Sequence, residues 1–236
     1  MSQKFPRPRL VAIASGKGGS GKTTLAINLA VALGAKGCHS LVLDLDPRAS
    51  AKLWAAEANP ATTSLPGFSP LSDIVSLHLE QEEGVSSMSE VVSLARANNA
   101  ALVIADCPSR SDFHTDILLR SADLVLIPTG DSALDHDPTA RTLASVLNLR
   151  NGEPTPPVLL VPVLEPGLVP SAELRKLPAR LTPVIHRDAA FREGLAAPNS
   201  HAAEEIATLA DFVSAEIGFT PAKTLPEKLP ERLEVA

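Results

Sequence analysis

Two cysteines and no tyrosine occur among the 236 residues. Cys38 and Cys107 stand far apart, outside any Cys-x-x-Cys spacing, which argues against a disulfide framework, a structural zinc site or a cysteine-ligated cluster within one chain. A reducing cytoplasm suits such a chain, and no mechanism in it can depend on tyrosine. Long apolar runs are missing too. None approaches the roughly 18 residues of a membrane span, and the basic start at Lys4, Arg7 and Arg9 leads only into a short apolar run at 10–14, too brief for a signal-peptide core. Positive charge is in deficit: 21 Lys and Arg against 27 Asp and Glu leave a formal net charge of −6. Bulk charge therefore cannot coat nucleic acid, and any contact with DNA or membrane has to use a local patch.

What is present is the balance of a globular protein, 44% apolar and 20% charged, in a chain long enough to bury a sizeable core. Short apolar runs at 10–14, 41–45, 101–105 and 124–128 read as buried strands. Helical patterns lie between and after them at 21–35, 48–58, 86–98, 112–121 and 136–150. Such alternation predicts right-handed βαβ units and an α/β fold with a mostly parallel, twisted sheet of about six to eight strands covered by helices on both faces. Ligands of such sheets bind beyond the carboxyl ends of the strands. Residues 59–84 read as a surface excursion with one helical or extended piece at 74–79. Prolines gather over 154–183 around a strand at 158–163 and a short helix at 171–180, and helices at 189–196 and 201–217 follow. A single domain is expected over 1–217, with a proline-containing tail over 218–236.

The most informative residues follow the first strand. Ser15-Gly16-Lys17-Gly18-Gly19-Ser20-Gly21-Lys22-Thr23-Thr24 opens the first helix, and Gly16 with Gly21-Lys22-Thr23 satisfies G-x-x-x-x-G-K-[ST] between a predicted strand and a predicted helix. That is the setting a phosphate-binding loop requires. Glycines let consecutive N–H groups aim at phosphate oxygens, and the helix N-terminus adds its positive end. Residues 16–24 become candidates for binding a nucleotide, with Lys22 neutralising its β and γ phosphates and the Thr23 hydroxyl on Mg2+. Lys17 is not needed to cradle phosphate within one subunit and, on the residues alone, is also readable as a solvated loop lysine.

The run from Lys17 to Thr23 resembles the deviant Walker A signature, K-G-G-x-G-K-[ST], of the ParA/MinD family of P-loop ATPases. Asp44-Leu45-Asp46-Pro47 is similar to that family's D-x-D-P element, and Ala105-Asp106-Cys107-Pro108 to its Walker B D-x-P. Ile127-Pro128 with Ser132-Ala133-Leu134-Asp135 matches the strand end and helix opening that follow, and His186-Arg187-Asp188 with Phe191 is a weaker match to a late region. The resemblance covers most of 10–217, and its size makes the chain look like a small ParA. It implies a P-loop NTPase fold, ATP and Mg2+ as cofactors, and an ATP-bound homodimer in which Lys17 reaches the partner's nucleotide in trans, a cation meeting phosphate charge only when two subunits close. Asp46 is implied to orient the attacking water, and Asp44 and Asp106 to assist Mg2+. For Asp44 and Asp46 a helix N-cap is the alternative. Ser132 and Asp135 are read mainly as caps of the next helix. The chain carries Leu164-Glu165-Pro166 where many relatives have a base-reading asparagine or arginine, which leaves base contacts to backbone groups there and near 185–187.

The resemblance also sets the candidate functions. Segregating members bind nucleoid DNA nonspecifically as ATP dimers, and a ParB-like partner on the cargo stimulates hydrolysis. Arg175, Lys176, Arg180, Arg187 and Arg192 face only Asp188 within 174–192, a basic excess that dimerisation would double. A solvated basic helix face is the alternative reading of the same residues. A MinD-like membrane role would need a C-terminal basic amphipathic helix, but Leu225, Leu229 and Leu233 are interrupted by Pro226 and Pro230, so no membrane partner is expected. Iron-protein, cluster-scaffold and tyrosine-kinase branches lack their cysteines or tyrosines here. The expectation is a cytoplasmic, nucleoid-associated partition ATPase for plasmid or chromosome DNA, with positioning of a non-DNA cargo and a small P-loop ligase as alternatives.

Overall fold

Strands buried on both faces of a sheet must be apolar at every position rather than at alternate ones, and the four early runs meet that demand. In a computed structural model, which describes residues 7–46, 50–51, 74–76, 88–109, 113–149, 156–192 and 200–219, they become β1 (Arg9–Ile13), β2 (Ser40–Asp44), β4 (Leu102–Asp106) and β5 (Leu124–Thr129). The helices between and around them are α1 (Lys22–Ala35), α2 (Met88–Ala97), α3 (Phe113–Ser121) and α4 (Ala133–Asn148). The piece at 74–79, open between helix and strand, is extended: β3 (Ile74–Ser76) pairs in parallel with β2. Beyond β6 (Val158–Leu164) come α5 (Ala172–Arg175), β7 (Arg180–Leu181), β8 (Ile185–His186), a 3-10 turn at Ala189–Arg192 and α6 (His201–Glu216).

The helix expected over 171–180 is one turn long. Pro178 has no N–H to offer the carbonyl of Leu174, and its ring disfavours helical geometry at Leu177. The chain leaves the helix and pairs Arg180–Leu181 with β6 instead. Trp54, most of the helix expected at 48–58 and the tail past residue 219 lie outside the described residues.

The strand order is β3-β2-β4-β1-β5-β6-β7, with β8 beside the far end of β6 and every described pair parallel. Alternation along β1 splits the core in two. Val11 and Ile13 face α1 and α6, packed with Leu29, Leu33, Leu209 and Val213. Leu10, Ala12 and Ala14 face the opposite layer, with Val91 of α2, Leu118 of α3 and Leu143 of α4. Register then sets the site. Ile13 and Asp44 both lie beside Asp106, so the carboxyl ends of β1, β2 and β4 finish level, under the loop that follows β1.

Candidate nucleotide-binding site

The loop after β1 turns into α1 through two glycines in left-handed conformations, Gly19 at φ 71° and Gly21, the N-cap, at φ 89°. A side chain at either would be strained. The N-cap glycine has no side chain with which to cap the helix, and a helix start of this kind suits an anion in the cap's place. Gly16 pins the other end of the loop: its N–H donates to Thr142 Oγ1 of α4 at 2.9 Å.

Lys22 and Thr23 reach under the loop to the strand ends. Lys22 is 7% exposed, and its Nζ donates to Ser109 Oγ at 2.9 Å, a partner just past β4 that no sequence motif flagged. Thr23 Oγ1 donates to Asp106 Oδ2 at 2.6 Å. Asp106 is fully buried, and burial lifts its carboxyl to about 7 against the Thr23 hydrogen bond, with the Asp44 charge adding and the Lys22 charge subtracting. Its other oxygen, Oδ1, is buried with no hydrogen-bond partner among the described residues, as is Ser20 Oγ in the loop. A buried carboxylate with an unmatched oxygen, next to a threonine hydroxyl, is the donor set a hard divalent cation takes, and Mg2+ fits these residues.

Asp44, expected on the metal, has other partners here. Its Oδ1 accepts from the N–H of Asp46 at 3.1 Å and its Oδ2 from the N–H of Ala51 at 2.8 Å, so the carboxylate braces the turn that carries Asp46. Backbone donors within one turn of a strand end compete well for a buried carboxylate. Cys107 is wholly buried, with its thiol 3.8 Å from the Ala105 carbonyl, in keeping with a small core side chain.

Lys17 is 40% exposed at its side chain, at the rim of the loop, and its Nζ is paired with Asp135 Oδ1. The second oxygen of Asp135 accepts from the N–H of Ser132 at 3.0 Å and from the Ser132 hydroxyl. Capping of α4, expected from sequence, is therefore only half of what Asp135 does. Burial alone would raise its carboxyl, but the hydrogen bonds from Lys17 and Ser132 outweigh burial and hold it at about 2. The two residues are 118 positions apart, beyond the reach of any local pattern.

An open cavity of about 470 Å³ adjoins the loop, walled by Gly19, Gly21 and Thr24 on one side and by Glu165, Arg187 and Phe191 on the other. The late segment at 185–191, a weak match in sequence, thus shares a cavity with the strong one. The basic residues of 174–192 are less available than their number suggests. Arg180 pairs with Glu216 at 2.9 Å and lies over the Phe212 ring, Arg187 pairs with Glu165 at 3.5 Å on the cavity wall, and Lys176 is 4.0 Å from Glu173. Arg175 donates to the Pro170 carbonyl; the Arg192 side chain lies outside the described set. At the N-terminal end, Arg7 and Arg9 both meet Asp123 Oδ1, at 2.7 and 3.0 Å.

The model of the CobQ/CobB/MinD/ParA nucleotide binding domain matches residues 11–193, which spans β1, the phosphate loop, Asp106 and the cavity wall. The chain belongs to this family. Family members of the ParA and MinD type are ATP-binding ATPases, and relatives include both partition and compartment-distributing proteins. The carboxysome distribution protein A of Gloeobacter kilaueensis is 36% identical over 129 residues, 54% of this chain and 52% of that protein. Protein ParA of Rhizobium radiobacter is 31% identical over 136 residues, 57% of this chain and 54% of that protein. The chain thus spans about half the length of the curated relatives it matches. A Cyanothece McdA solved in complex with ATP superposes with a TM-score of 0.67 at 18% identity, covering 93% of this chain and all of that one, a likeness of fold. Among the described residues, no helix is long and apolar enough to cross a membrane.

Proposed function

We propose that this chain is a Mg2+-dependent ATPase of the ParA type, in which ATP closes two copies face to face and hydrolysis separates them. The observation that carries the reading is the pairing of an exposed signature lysine, Lys17, at the rim of the phosphate loop with a buried Thr23–Asp106 pair beneath it. The exposure of the lysine supports a role outside its own subunit, and the burial of the carboxylate supports a cation held within it. Residues 16–24 bind the triphosphate, Lys22 neutralises it, and Thr23 and Asp106 hold Mg2+, which when bound supplies charge neutralisation at the phosphates. Asp46 orients the attacking water, on a turn that Asp44 braces. Lys17 acts on the partner's nucleotide and leaves Asp135 to do so.

In this reading the ATP dimer binds DNA nonspecifically through Arg175, Lys176, Arg180, Arg187 and Arg192, with Arg180 and Arg187 contributing only after exchanging their carboxylate partners. A partner protein on the cargo stimulates turnover, at the nucleoid in the cytoplasm. ATPase rates with and without DNA and a candidate partner test it: slow basal turnover raised by both supports it, and ATP-loaded protein that ignores DNA at low salt refutes the DNA arm. Positioning of a protein compartment on the same DNA track is the second reading, favoured by the 36% identity to a carboxysome distribution protein. The identity of the adaptor that stimulates hydrolysis separates the two.

A further inference from the structure

Counting cysteines argues against zinc, but the fold gathers a different donor set. His186 ends β8, and His201 and Glu205 lie one turn apart at the start of α6. Among the described residues these three form the one group of His, Cys, Asp or Glu able to converge on a metal ion, with one ligand atom from each inside 4.8 Å of the others. Glu205 is the hub. Its Oε2 accepts from the N–H of His186 at 2.8 Å, which fixes the carboxylate, and its Oε1 lies 2.5 Å from His186 Nδ1 and 3.1 Å from His201 Nε2.

Hydrogen-bond bookkeeping makes the cluster informative. His186 Nε2 lies 3.2 Å from the Leu168 carbonyl, which can only accept, so the tautomer with its hydrogen on Nε2 satisfies that carbonyl. In a neutral ring Nδ1 is then a bare lone pair, and it faces a carboxylate oxygen across a hydrogen-bond distance. Two acceptors so placed need a cation between them, either a proton or a metal ion. The Leu168 carbonyl is also what a metal-bound imidazole requires, an acceptor that fixes tautomer and ring orientation. His201 presents Nε2 to the same Glu205 oxygen at 3.1 Å, so both rings turn a nitrogen toward one carboxylate. Zinc–ligand bonds of about 2.1 Å place tetrahedral donors about 3.4 Å apart, so Glu205 and His186 need to part by only about 1 Å. The cluster opens on a cavity of about 320 Å³ bordered by Pro166 and Gly167, which leaves a fourth position to water.

We propose that His186, His201 and Glu205 bind a divalent transition metal, with Zn2+ the ion their two-nitrogen, one-oxygen set suits best. The site is separate from the phosphate loop and ties β8 to α6 one residue before Arg187 on the cavity wall. Its test uses the full chain without a histidine tag, stripped with chelator and titrated calorimetrically with Zn2+ in the absence of Mg2+ and nucleotide. One equivalent is expected to bind, with affinity weakened at least ~10-fold by His201→Ala and by Glu205→Gln. His201 is 75% exposed at its side chain, so its replacement leaves the fold intact. Co2+ in place of Zn2+ should give a tetrahedral visible spectrum that His201→Ala abolishes. Absence of saturable Zn2+ binding, or binding that either substitution leaves at full strength, overturns the proposal and assigns the cluster to a shared proton.

Discussion

Asp135→Asn should make ATP-dependent dimerisation tighter, because it removes the contact that holds Lys17 within its own subunit. The carboxyl lies at about 2 instead of 3.8, which corresponds to about 2 kcal/mol in favour of the charged form. That sum is shared by Lys17, the Ser132 N–H and the Ser132 hydroxyl. The lysine is 40% exposed, so solvent screens its part to about 0.5–1 kcal/mol. In the proposed dimer, closure breaks this contact once in each copy. Removing it beforehand is then worth about 1–2 kcal/mol, or a roughly 5- to 30-fold lower dimer dissociation constant. Sedimentation of the ATP-loaded proteins measures this directly. The gain should shrink with added salt, since the screening length falls from about 10 Å at 0.1 M to about 3 Å at 1 M. Ser132→Ala is the control: it loses a hydrogen bond to Asp135, at a cost of about 1 kcal/mol in stability, without releasing Lys17. A folded Asp135→Asn protein that dimerises no better than wild type would refute the reasoning, as would an equal gain in Ser132→Ala.

Asp106→Asn should lower ATP turnover by roughly 100-fold or more and remove its Mg2+ dependence at saturating nucleotide; undiminished Mg2+-dependent hydrolysis would show that the buried pair with Thr23 has no part in catalysis. Gly130→Ala should destabilise the protein by about 1–3 kcal/mol, since a Cβ there falls 2.8 Å from Asp135 Cγ, and thermal melts that match wild type would count against that packing. The pH dependence of stability follows from Asp135. Its folded value lies below the ordinary 3.8, so the stabilisation is complete above about pH 4 and is lost as pH falls through about 2. The wild-type advantage over Asp135→Asn in acid melts should fade across that window; a gap that stays constant down to pH 2 would place the stabilisation elsewhere.

The phosphate loop was legible because every part of it is local: glycines, Lys22 and Thr23 within ten residues, bounded by an apolar strand and an apolar helix. The four early strands were legible for a similar reason, since burial on both faces leaves a continuous apolar run. Local reading was weakest where local rules conflict. The short helix expected at 171–180 ran across Pro178, and the proline prevailed because a missing donor and a ring clash cannot be offset by a few favourable side chains. The basic excess at 174–192 was counted correctly, yet counting ignored the carboxylates of Glu165, Glu173 and Glu216 that the fold brings against it.

Composition and motif by themselves determined the class of fold and the family to which the phosphate loop points. Tertiary structure decided everything that rests on pairs distant in sequence. It gave the Asp44 carboxylate two backbone donors at the Asp46 turn, set Asp135 against Lys17, and drew His186 to His201 and Glu205. The physical reason is the parallel sheet itself. Each crossover returns the chain to the same edge, so residues a hundred positions apart meet at the strand ends, and which atoms face one another there depends on register and crossover geometry that no local pattern encodes.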